Sequence, residues 1–264
     1  MALLRYIYFK TRFELLTNKI GANMVNLNVG DGLSATRANW KFSGETVEGF
    51  DRHVEKSVPL YHEGHELICD ISDFFIKDNS VCFEIGSSTG SLTLKLAEHN
   101  KLKSEAKFIG IDIEADMVAS ANQKLSNSDL TNIEFRAADA MDTDLLGADL
   151  IVCYYTVQFI RTAERQKLID KIYESLNWGG ALILFEKVRG ADARFQDIFT
   201  TLYSDYKLRM GYSPDEIVSK TRSLKGVLEP FSSQGNFDML QRAGFKDFNT
   251  IQKYLCFEGT LAIK

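Results

Sequence analysis

The stretch that most constrains the fold of this chain is SVCFEIGSSTGSLTLKLA, residues 80–97. It opens with a short apolar run, Ser80–Ile85, whose β-forming residues predict a buried strand. Gly86 and Gly90 then bracket small hydroxyl residues, and the leucines that follow predict a helix. A sharp strand-to-helix turn presents backbone N–H groups, and glycines allow a ligand to approach them closely. The stretch therefore predicts a nucleotide-type binding turn at the carboxyl end of the first strand of an α/β sheet.

The glycine spacing separates this turn from two other phosphate-binding turns. A dinucleotide fingerprint would need a glycine at Ser88, and a P-loop would need a GKS or GKT sequence. The next predicted strand, Lys107–Ile113, carries Asp112 near its end, 26 residues after Gly86. In open α/β sheets an acid about 20 residues beyond the turn binds ribose hydroxyls. Taken alone, Asp112 is equally well explained as the cap of a helix that begins at Ala115; the glycines favour the ligand.

Predicted strands and helices alternate along the rest of the chain. The strands are Ser80–Ile85, Lys107–Ile113, Asn132–Arg136, Asp149–Tyr154 and Gly180–Lys187, followed by a closing pair, Phe245–Gln252 and Tyr254–Ile263. The intervening helices are Gly90–Asn100, Ala115–Leu125 and Thr162–Leu176. Such alternation is typical of parallel strands joined by right-handed crossovers. We therefore predict an α/β, Rossmann-like fold with a seven-stranded, mostly parallel sheet and helices on both faces.

Two regions flank this predicted sheet. Residues 1–79 are expected to form an N-terminal helical segment and cap, with an irregular loop at 26–39 and a helix at Tyr61–Ile76. On that helix, His62 and His65 are expected to face solvent. Residues 80–264 form the predicted binding domain, which contains a helical insertion at about 189–226. Within it Ser213 is the predicted cap, and Pro214 the first residue, of a second helix.

Composition excludes several classes of protein. The chain has 264 residues, is 45% apolar and carries a net charge of −5, which gives no general basic field for nucleic acid. Cys69, Cys82, Cys153 and Cys256 are far apart and form no metal-binding or disulfide pattern, so we expect no metal site and free thiols in a reducing cytoplasm. The apolar N-terminus is broken by charges, which predicts an amphipathic helix rather than a membrane span or signal peptide.

Acidic and aromatic residues also follow the third and fourth predicted strands. Asp139 follows the third strand, and Tyr154, Tyr155 and Phe159 mark the end of the fourth. Alone, Asp139 is better explained as a loop acid or cap. In this order, however, the glycine turn and the two acids resemble class I S-adenosylmethionine (SAM) methyltransferases. That resemblance implies that Asp139 faces the adenine amine and that a neighbouring backbone N–H faces a ring nitrogen.

From Trp40 to Lys264 the sequence resembles carboxy-S-adenosylmethionine (carboxy-SAM) synthases, which share this fold and serve wobble-uridine modification. The segments that carry the resemblance are SVPLY, EIGSSTG, YTVQF, AERQKLIDKIYESLNWGGALILFEK and GYSPDEIVSKTRSL. The resemblance implies SAM or carboxy-SAM as the cofactor, and an arginine at Arg222 that holds the extra carboxylate across a dimer interface. The chain departs from this family at Tyr154, where the family has asparagine, and at Ser87, where it has cysteine.

These observations define the predicted site. The cofactor-binding residues are Tyr61, Glu84, Gly86, Ser87, Ser88, Gly90, Asp112, Ile113, Asp139, Ala140 and Tyr154. The catalytic candidates are Tyr61, Tyr154 and Arg222, with Glu186 as a further possible base.

Three functions agree with this site. The altered position 154 favours a SAM-dependent methyltransferase that acts on a small-molecule acceptor. The resemblance implies instead the conversion of SAM and prephenate to carboxy-SAM, and a third alternative is a non-catalytic SAM-binding subunit. We expect a cytoplasmic homodimer with a small-molecule substrate and without nucleic-acid or membrane partners.

Overall fold

The computed structural model describes residues 27–264. The described part begins with a two-stranded hairpin, β1 (Leu27–Gly30) and β2 (Leu33–Ala35), and two helices, α1 (Glu45–Ser57) and α2 (Tyr61–Ser72). The alternating region follows as β3 (Val81–Ile85), α3 (Ser91–His99), β4 (Lys107–Asp112), α4 (Ala115–Leu125), β5 (Ile133–Ala137), β6 (Ala148–Tyr154), α5 (Thr162–Ser175) and β7 (Leu176–Lys187). The chain ends with α6 (Ala193–Arg209), α7 (Pro214–Ser223), α8 (Ser233–Ala243), β8 (Asp247–Tyr254) and β9 (Phe257–Ile263).

Seven of these strands form one sheet in the order β5-β4-β3-β6-β7-β9-β8. The five strands β5, β4, β3, β6 and β7 pair parallel to one another in this order. β9 pairs antiparallel with both β7 and β8. The mostly parallel, seven-stranded sheet predicted from the sequence is therefore confirmed, and the order reverses between β3 and β6, where such sheets bind ligands.

The sheet is buried on both faces because side chains alternate along each strand. On β3, Phe83 and Ile85 pack in the cluster that contains α5 and α8, whereas Cys82 packs in the cluster that contains α2 and α3. The two clusters cover opposite faces, which confirms helices on both sides. All four cysteines are buried free thiols, as the sequence predicts.

Some local predictions were wrong. Residues 26–39, expected to be an irregular loop, contain the β1–β2 hairpin, in which Val29 and Leu33 form a small core with Trp40. The helix α8 was missed, although Ser232 caps it with a bond to the N–H of Gly235. The predicted cap at Ser213 is confirmed, with Glu216 completing a capping box. The predicted N-terminal amphipathic helix lies outside the described residues.

Candidate functional site

A cavity of about 970 Å³ opens at the carboxyl ends of the parallel strands. One side is the sheet edge, formed by the turns after β3, β4, β5, β6 and β7. The other side is the cap layer, which we define as residues 27–57 together with α6 and α7. The two sides are joined through Asp51 of α1, whose carboxylate accepts bonds from the Thr89 hydroxyl at 2.6 Å and the Lys124 ammonium at 2.6 Å. The cap layer therefore closes directly over the glycine turn.

Most backbone N–H groups of the glycine turn are already bonded within the protein. Those of Gly86 and Ser87 donate to the carbonyl of Ile111, at 2.7 and 3.0 Å. Gly86 has a φ of +77°, and a Cβ there would lie 2.3 Å from Oγ1 of Thr156. The glycine thus makes room for a side chain of the protein, and not for a ligand as the sequence suggested.

Gly90 has a similar structural reason. It precedes α3 with a φ of +76°, and a Cβ there would lie 2.6 Å from Cζ of Phe135 and 2.8 Å from Cβ of Ala121. Gly90 therefore permits close packing of α3 against β5 and α4. The other residues of the turn, 86–89 and Ser91, line the cavity, whereas Gly90 does not.

Asp112 lies at the centre of the sheet-edge side. Its Oδ2 accepts the N–H of Ser88 at 2.7 Å, and its Oδ1 accepts the N–H of Glu114 at 2.9 Å. Burial raises the pKa of Asp112, and these backbone bonds oppose the rise. Each carboxylate oxygen keeps a lone pair, so Asp112 can still accept a ligand hydroxyl. The cap of α4 is Glu114, which rules out the simple cap role considered for Asp112.

The neighbouring turn after β5 supplies a second acceptor. Asp139 is exposed and lines the cavity, and its Oδ1 accepts the N–H of Met141 at 2.8 Å. Ala140 and the exposed side chain of Ile113 line the same end. The structure thus brings together the acids that the sequence places at the ends of the second and third parallel strands.

Two buried hydroxyls on residues of the cavity lining have no hydrogen-bond partner among residues 27–264. They are Oγ of Ser87 and Oη of Tyr155, and both residues line the cavity. Tyr155 and Ser88 have φ values of +59° and +51°, which is uncommon for residues with a side chain. Unpaired polar atoms and backbone strain concentrate at binding sites, so these residues mark the sheet edge as the place where a polar ligand binds.

Tyr154 packs in an aromatic cluster with Tyr61 and His65. Its hydroxyl donates to the backbone carbonyl of Tyr61 at 2.6 Å. Gly64 makes room for it, since a Cβ there would lie 2.3 Å from that hydroxyl. His65 is buried, contrary to the expectation that it faces solvent, because its ring lies 4.8 Å from the ring of Tyr154 and 4.6 Å from that of Tyr61. Burial lowers the pKa of His65 to about 3, so it is neutral.

Two buried glutamates differ in their access to the cavity. Glu84 lines it and accepts a bond from the Thr93 hydroxyl. Glu186 lies beneath the 3-10 turn Val157–Phe159, where it accepts the N–H of Val157 at 3.0 Å, and among the described residues it is outside the cavity lining. Burial raises the pKa of each to about 8. Glu186 is therefore not placed to act as a base on a ligand in this cavity.

The cap layer and the end of β7 contribute cationic residues that the sequence analysis missed. Lys187, Lys207 and Lys220 line the cavity from β7, α6 and α7. Arg222, the arginine expected from the resemblance, is exposed on α7, and Thr221 lines the cavity of its own chain instead. Lysine is common on charged helices such as α6 and α7, so no sequence signal marks these three residues.

Within residues 27–264, no group of three or more His, Cys, Asp or Glu side chains is placed to hold a metal ion. No helix in this part of the chain is long and apolar enough to cross a bilayer.

Comparison with known proteins identifies the class. Residues 76–244 match the family described as a methyltransferase domain. A putative SAM-dependent methyltransferase from Methanococcus maripaludis superposes with a TM-score of 0.58, covering 86% of this chain and 95% of that one at 21% identity. Human N-acetylserotonin methyltransferase in complex with SAM superposes with a TM-score of 0.51, covering 85% and 63% of the two chains at 18% identity.

The fold, the family match and the strand-end site define a SAM-dependent transferase of the class I methyltransferase superfamily. Within this class the sequence is 39% identical to the carboxy-S-adenosyl-L-methionine synthase of Staphylococcus epidermidis, over 85% of this chain and 97% of the relative. It is 37% identical to the synthase of the same name from Nautilia profundicola, over 85% and 94% of the two chains. The chain belongs to the carboxy-S-adenosyl-L-methionine synthase family.

The residues of the cavity fit SAM as the cofactor. The carboxylates of Asp112 and Asp139 line the cavity and keep lone pairs that can accept bonds from the hydroxyls and the amine of a nucleoside. The cavity volume of about 970 Å³ is at the upper end of the range of small-molecule sites.

Proposed function

We propose that this protein is a carboxy-SAM synthase, which converts SAM and prephenate to carboxy-SAM for wobble-uridine modification. The observation that carries the proposal is the 39% identity to a synthase of that name along 97% of the relative's length. A cavity with acceptors at one end and lysines at the other also supports it, because the reaction needs room for SAM and for a carboxylate-bearing donor.

The sheet-edge side is the proposed adenosyl site. Asp112 accepts the ribose hydroxyls, Asp139 accepts the adenine amine, and the backbone of Ile113 and Ala140 borders the base. Ser87, Ser88 and Glu84 lie toward the methionine end, beside Tyr61 and Tyr154. When bound, SAM supplies a cationic sulfonium whose methyl carbon is the reacting atom. The protein orients that carbon and excludes water from it.

The structure also bears on the competing methyltransferase function, which Tyr154 favoured. In this chain the Tyr154 hydroxyl donates to the carbonyl of Tyr61. The tyrosine that replaces the asparagine of the family therefore packs against α2, where Gly64 provides the space for its larger side chain. This supports carboxy-SAM formation as the preferred function, because the substitution does not add a free hydroxyl to the site.

We further propose that the enzyme is a cytoplasmic homodimer. Phe195, Ile198 and Leu202 form an exposed apolar stripe along α6, at the spacing of one helix face. Arg222 is exposed on the neighbouring α7. We propose that a second copy packs on this stripe and that its Arg222 reaches this cavity, which is what the resemblance implies. The four free thiols support a reducing compartment.

A product assay tests the proposed activity. Purified protein is incubated with SAM and prephenate, and the nucleoside products are separated by mass spectrometry. We expect a compound heavier than SAM by one carboxyl group, formed only when both substrates are present. The variant Asp112→Ala should abolish its formation. If demethylated SAM accumulates instead with a small acceptor, or if SAM binds without any turnover, the proposed activity is wrong.

A further inference from the structure

Three lysines converge on the cap-layer end of the cavity from different elements. The Lys187 ammonium lies 4.2 Å from the centroid of the Tyr203 ring, and the Lys207 ammonium lies 4.9 Å from the same centroid. The Lys220 ammonium lies 2.6 Å from the centroid of the Trp40 ring. All three residues line the cavity, and Lys207 and Lys220 are only 7% and 8% exposed. We call these three residues the lysine cluster.

Within the described part of the chain, no carboxylate forms an ion pair with a residue of the lysine cluster. Every ion pair found within residues 27–264 involves other cations, and none of the three ammonium groups lies within 4.0 Å of a carboxylate oxygen. Aromatic faces compensate only in part, since a cation–π contact contributes about 0.5–2 kcal/mol. Buried charges are otherwise paired in proteins. A cluster of unpaired cations facing a cavity is therefore suited to an anionic ligand.

The lysine cluster is also separate from the proposed adenosyl site. Asp112 ends β4 and Lys187 ends β7, and β3 and β6 lie between these strands in the sheet. Neighbouring strands are about 4.8 Å apart, which places the two residues roughly 14 Å from one another along the sheet edge. Asp112 and Asp139 would also repel an anion from their own end. The cavity thus has an end that suits neutral hydroxyls and an amine, and another that suits carboxylates.

We propose that Lys187, Lys207 and Lys220 form a carboxylate-binding subsite for the second substrate. The choice of prephenate as its ligand rests on the proposed function, and the two carboxylates of prephenate match a site with more than one cation. Tyr203 lies between two of the ammonium groups and supplies an aromatic face beside the carboxylates. Trp40 supplies a second such face from the cap layer.

The pKa shifts of the lysine cluster support this role. Burial, together with the nearby charge of Lys187, lowers the pKa of Lys207 to about 7. Burial also lowers the pKa of Lys187 and of Lys220. The titratable and charged groups around Lys207 are Lys187, Lys220, His53, Cys256 and Tyr203, and the carboxylate of Asp31 acts on Lys220 and raises its pKa. A bound carboxylate would raise these lysine pKa values, so binding near pH 8 should be accompanied by proton uptake.

Calorimetry on the full chain saturated with SAM tests the subsite. Prephenate is titrated into wild type, Lys207→Met, Lys207→Arg and the exposed control Lys246→Met, at pH 8 in two buffers with different ionisation enthalpies. We expect Lys207→Met to weaken prephenate binding at least tenfold and to reduce proton uptake. Lys207→Arg should recover most of the affinity. SAM affinity should stay within twofold in every variant, which shows that each one is folded.

The outcomes separate the subsite from the proposed activity. If wild type makes carboxy-SAM but Lys207→Met and a matching Lys220→Met bind prephenate as tightly as Lys246→Met, the subsite is wrong and the activity stands. If wild type makes no carboxy-SAM but binds prephenate in a lysine-dependent way with proton uptake, the subsite stands and the activity is wrong. If prephenate does not bind at all to the SAM-loaded protein, both are wrong.

Discussion

The two sides of the cavity are built in different ways. On the sheet-edge side, the turns follow consecutive parallel strands, and the bonds are local: the N–H of Ser88 donates to Asp112, and the N–H of Met141 donates to Asp139. On the cap-layer side, the contacts join distant parts of the chain. Asp31 accepts bonds from the Tyr212 hydroxyl at 2.5 Å, across 181 residues, and from the Lys56 ammonium at 2.7 Å.

This difference suggests a division of roles between the two sides, with SAM bound on one side and the second substrate on the other. In the proposed function, the sheet edge with its backbone groups and carboxylates binds the adenosyl part of SAM. The cap layer supplies two of the three lysines and the rings of Trp40 and Tyr203, which in our proposal bind the second substrate. Changes on the sheet-edge side should therefore affect SAM binding and folding, whereas changes in the cap layer should affect the second substrate.

The largest effect is expected at Gly86 on the sheet-edge side. Gly86→Ala introduces a Cβ at a φ of +77° and 2.3 Å from Oγ1 of Thr156. Gly147→Ala is the matched control, because Gly147 has a φ of +79° but nothing within 4 Å of its Cβ position. We expect the control to lose about 1 kcal/mol of unfolding free energy and Gly86→Ala about 3 kcal/mol, since overpacking adds to backbone strain.

Urea unfolding of both variants measures this difference, and SAM titration of the folded protein accompanies it. SAM affinity should fall in Gly86→Ala and stay unchanged in Gly147→Ala. Equal destabilisation of the two variants would mean that Thr156 moves away freely, and that the turn is less tightly packed than the structure indicates.

A smaller effect is expected from Asp31 in the cap layer. Burial works to raise the pKa of Asp31, but bonds from Lys56, Tyr212 and His53 outweigh it, and the net shift is downward. Asp31→Asn replaces the charged acceptor of this network and leaves the Lys56 ammonium unpaired. We expect a loss of about 2 kcal/mol in unfolding free energy, which is typical of a hydrogen bond to a charged group.

The same variant tests the division between the two sides of the cavity. Trp40 stacks on His53 at 5.5 Å and contacts Lys220, so a disturbed network should displace the lysine cluster. Prephenate affinity should then fall more than SAM affinity in calorimetry. The exposed Asp247→Asn serves as control, with less than 0.5 kcal/mol expected. An equal loss of affinity for both ligands would contradict independent sides.

The same contrast explains how much the sequence could predict. The strands, their parallel order and the acids at their ends follow from periodicity and from the rule that parallel strands finish at one edge. The hairpin, the buried His65 and the lysine cluster depend on contacts between distant segments. No local pattern reveals that Tyr212 would meet Asp31, or that Gly64 would make room for Tyr154. Arg222 shows the limit of motif matching, since its neighbour Thr221 lines the cavity of this chain.

The last expected effect is a pH dependence and concerns Glu186, which lies outside the cavity lining. Burial raises its pKa from 4.5 to about 8, and the charge of Arg165 opposes this only in part. The folded protein therefore holds the Glu186 proton more tightly than the unfolded chain does. The stability from this proton is fully present below pH 4.5 and is lost as the pH rises toward 8, with a slope of up to about 1.4 kcal/mol per pH unit.

Glu186→Gln should remove this slope and leave the bond from Val157 in place, because the amide oxygen can still accept it. Urea unfolding at several values between pH 5 and 8 should show a shallower decline in the variant than in wild type. Glu84 also has a raised pKa, so part of the decline in unfolding free energy with rising pH should remain in both proteins. The exposed Glu174→Gln should follow wild type. Parallel stability curves for Glu186→Gln and wild type would mean that Glu186 is ionised in the folded protein and that the charge of Arg165 compensates for its burial. Product formation should be unchanged in either case, because Glu186 lies outside the cavity lining.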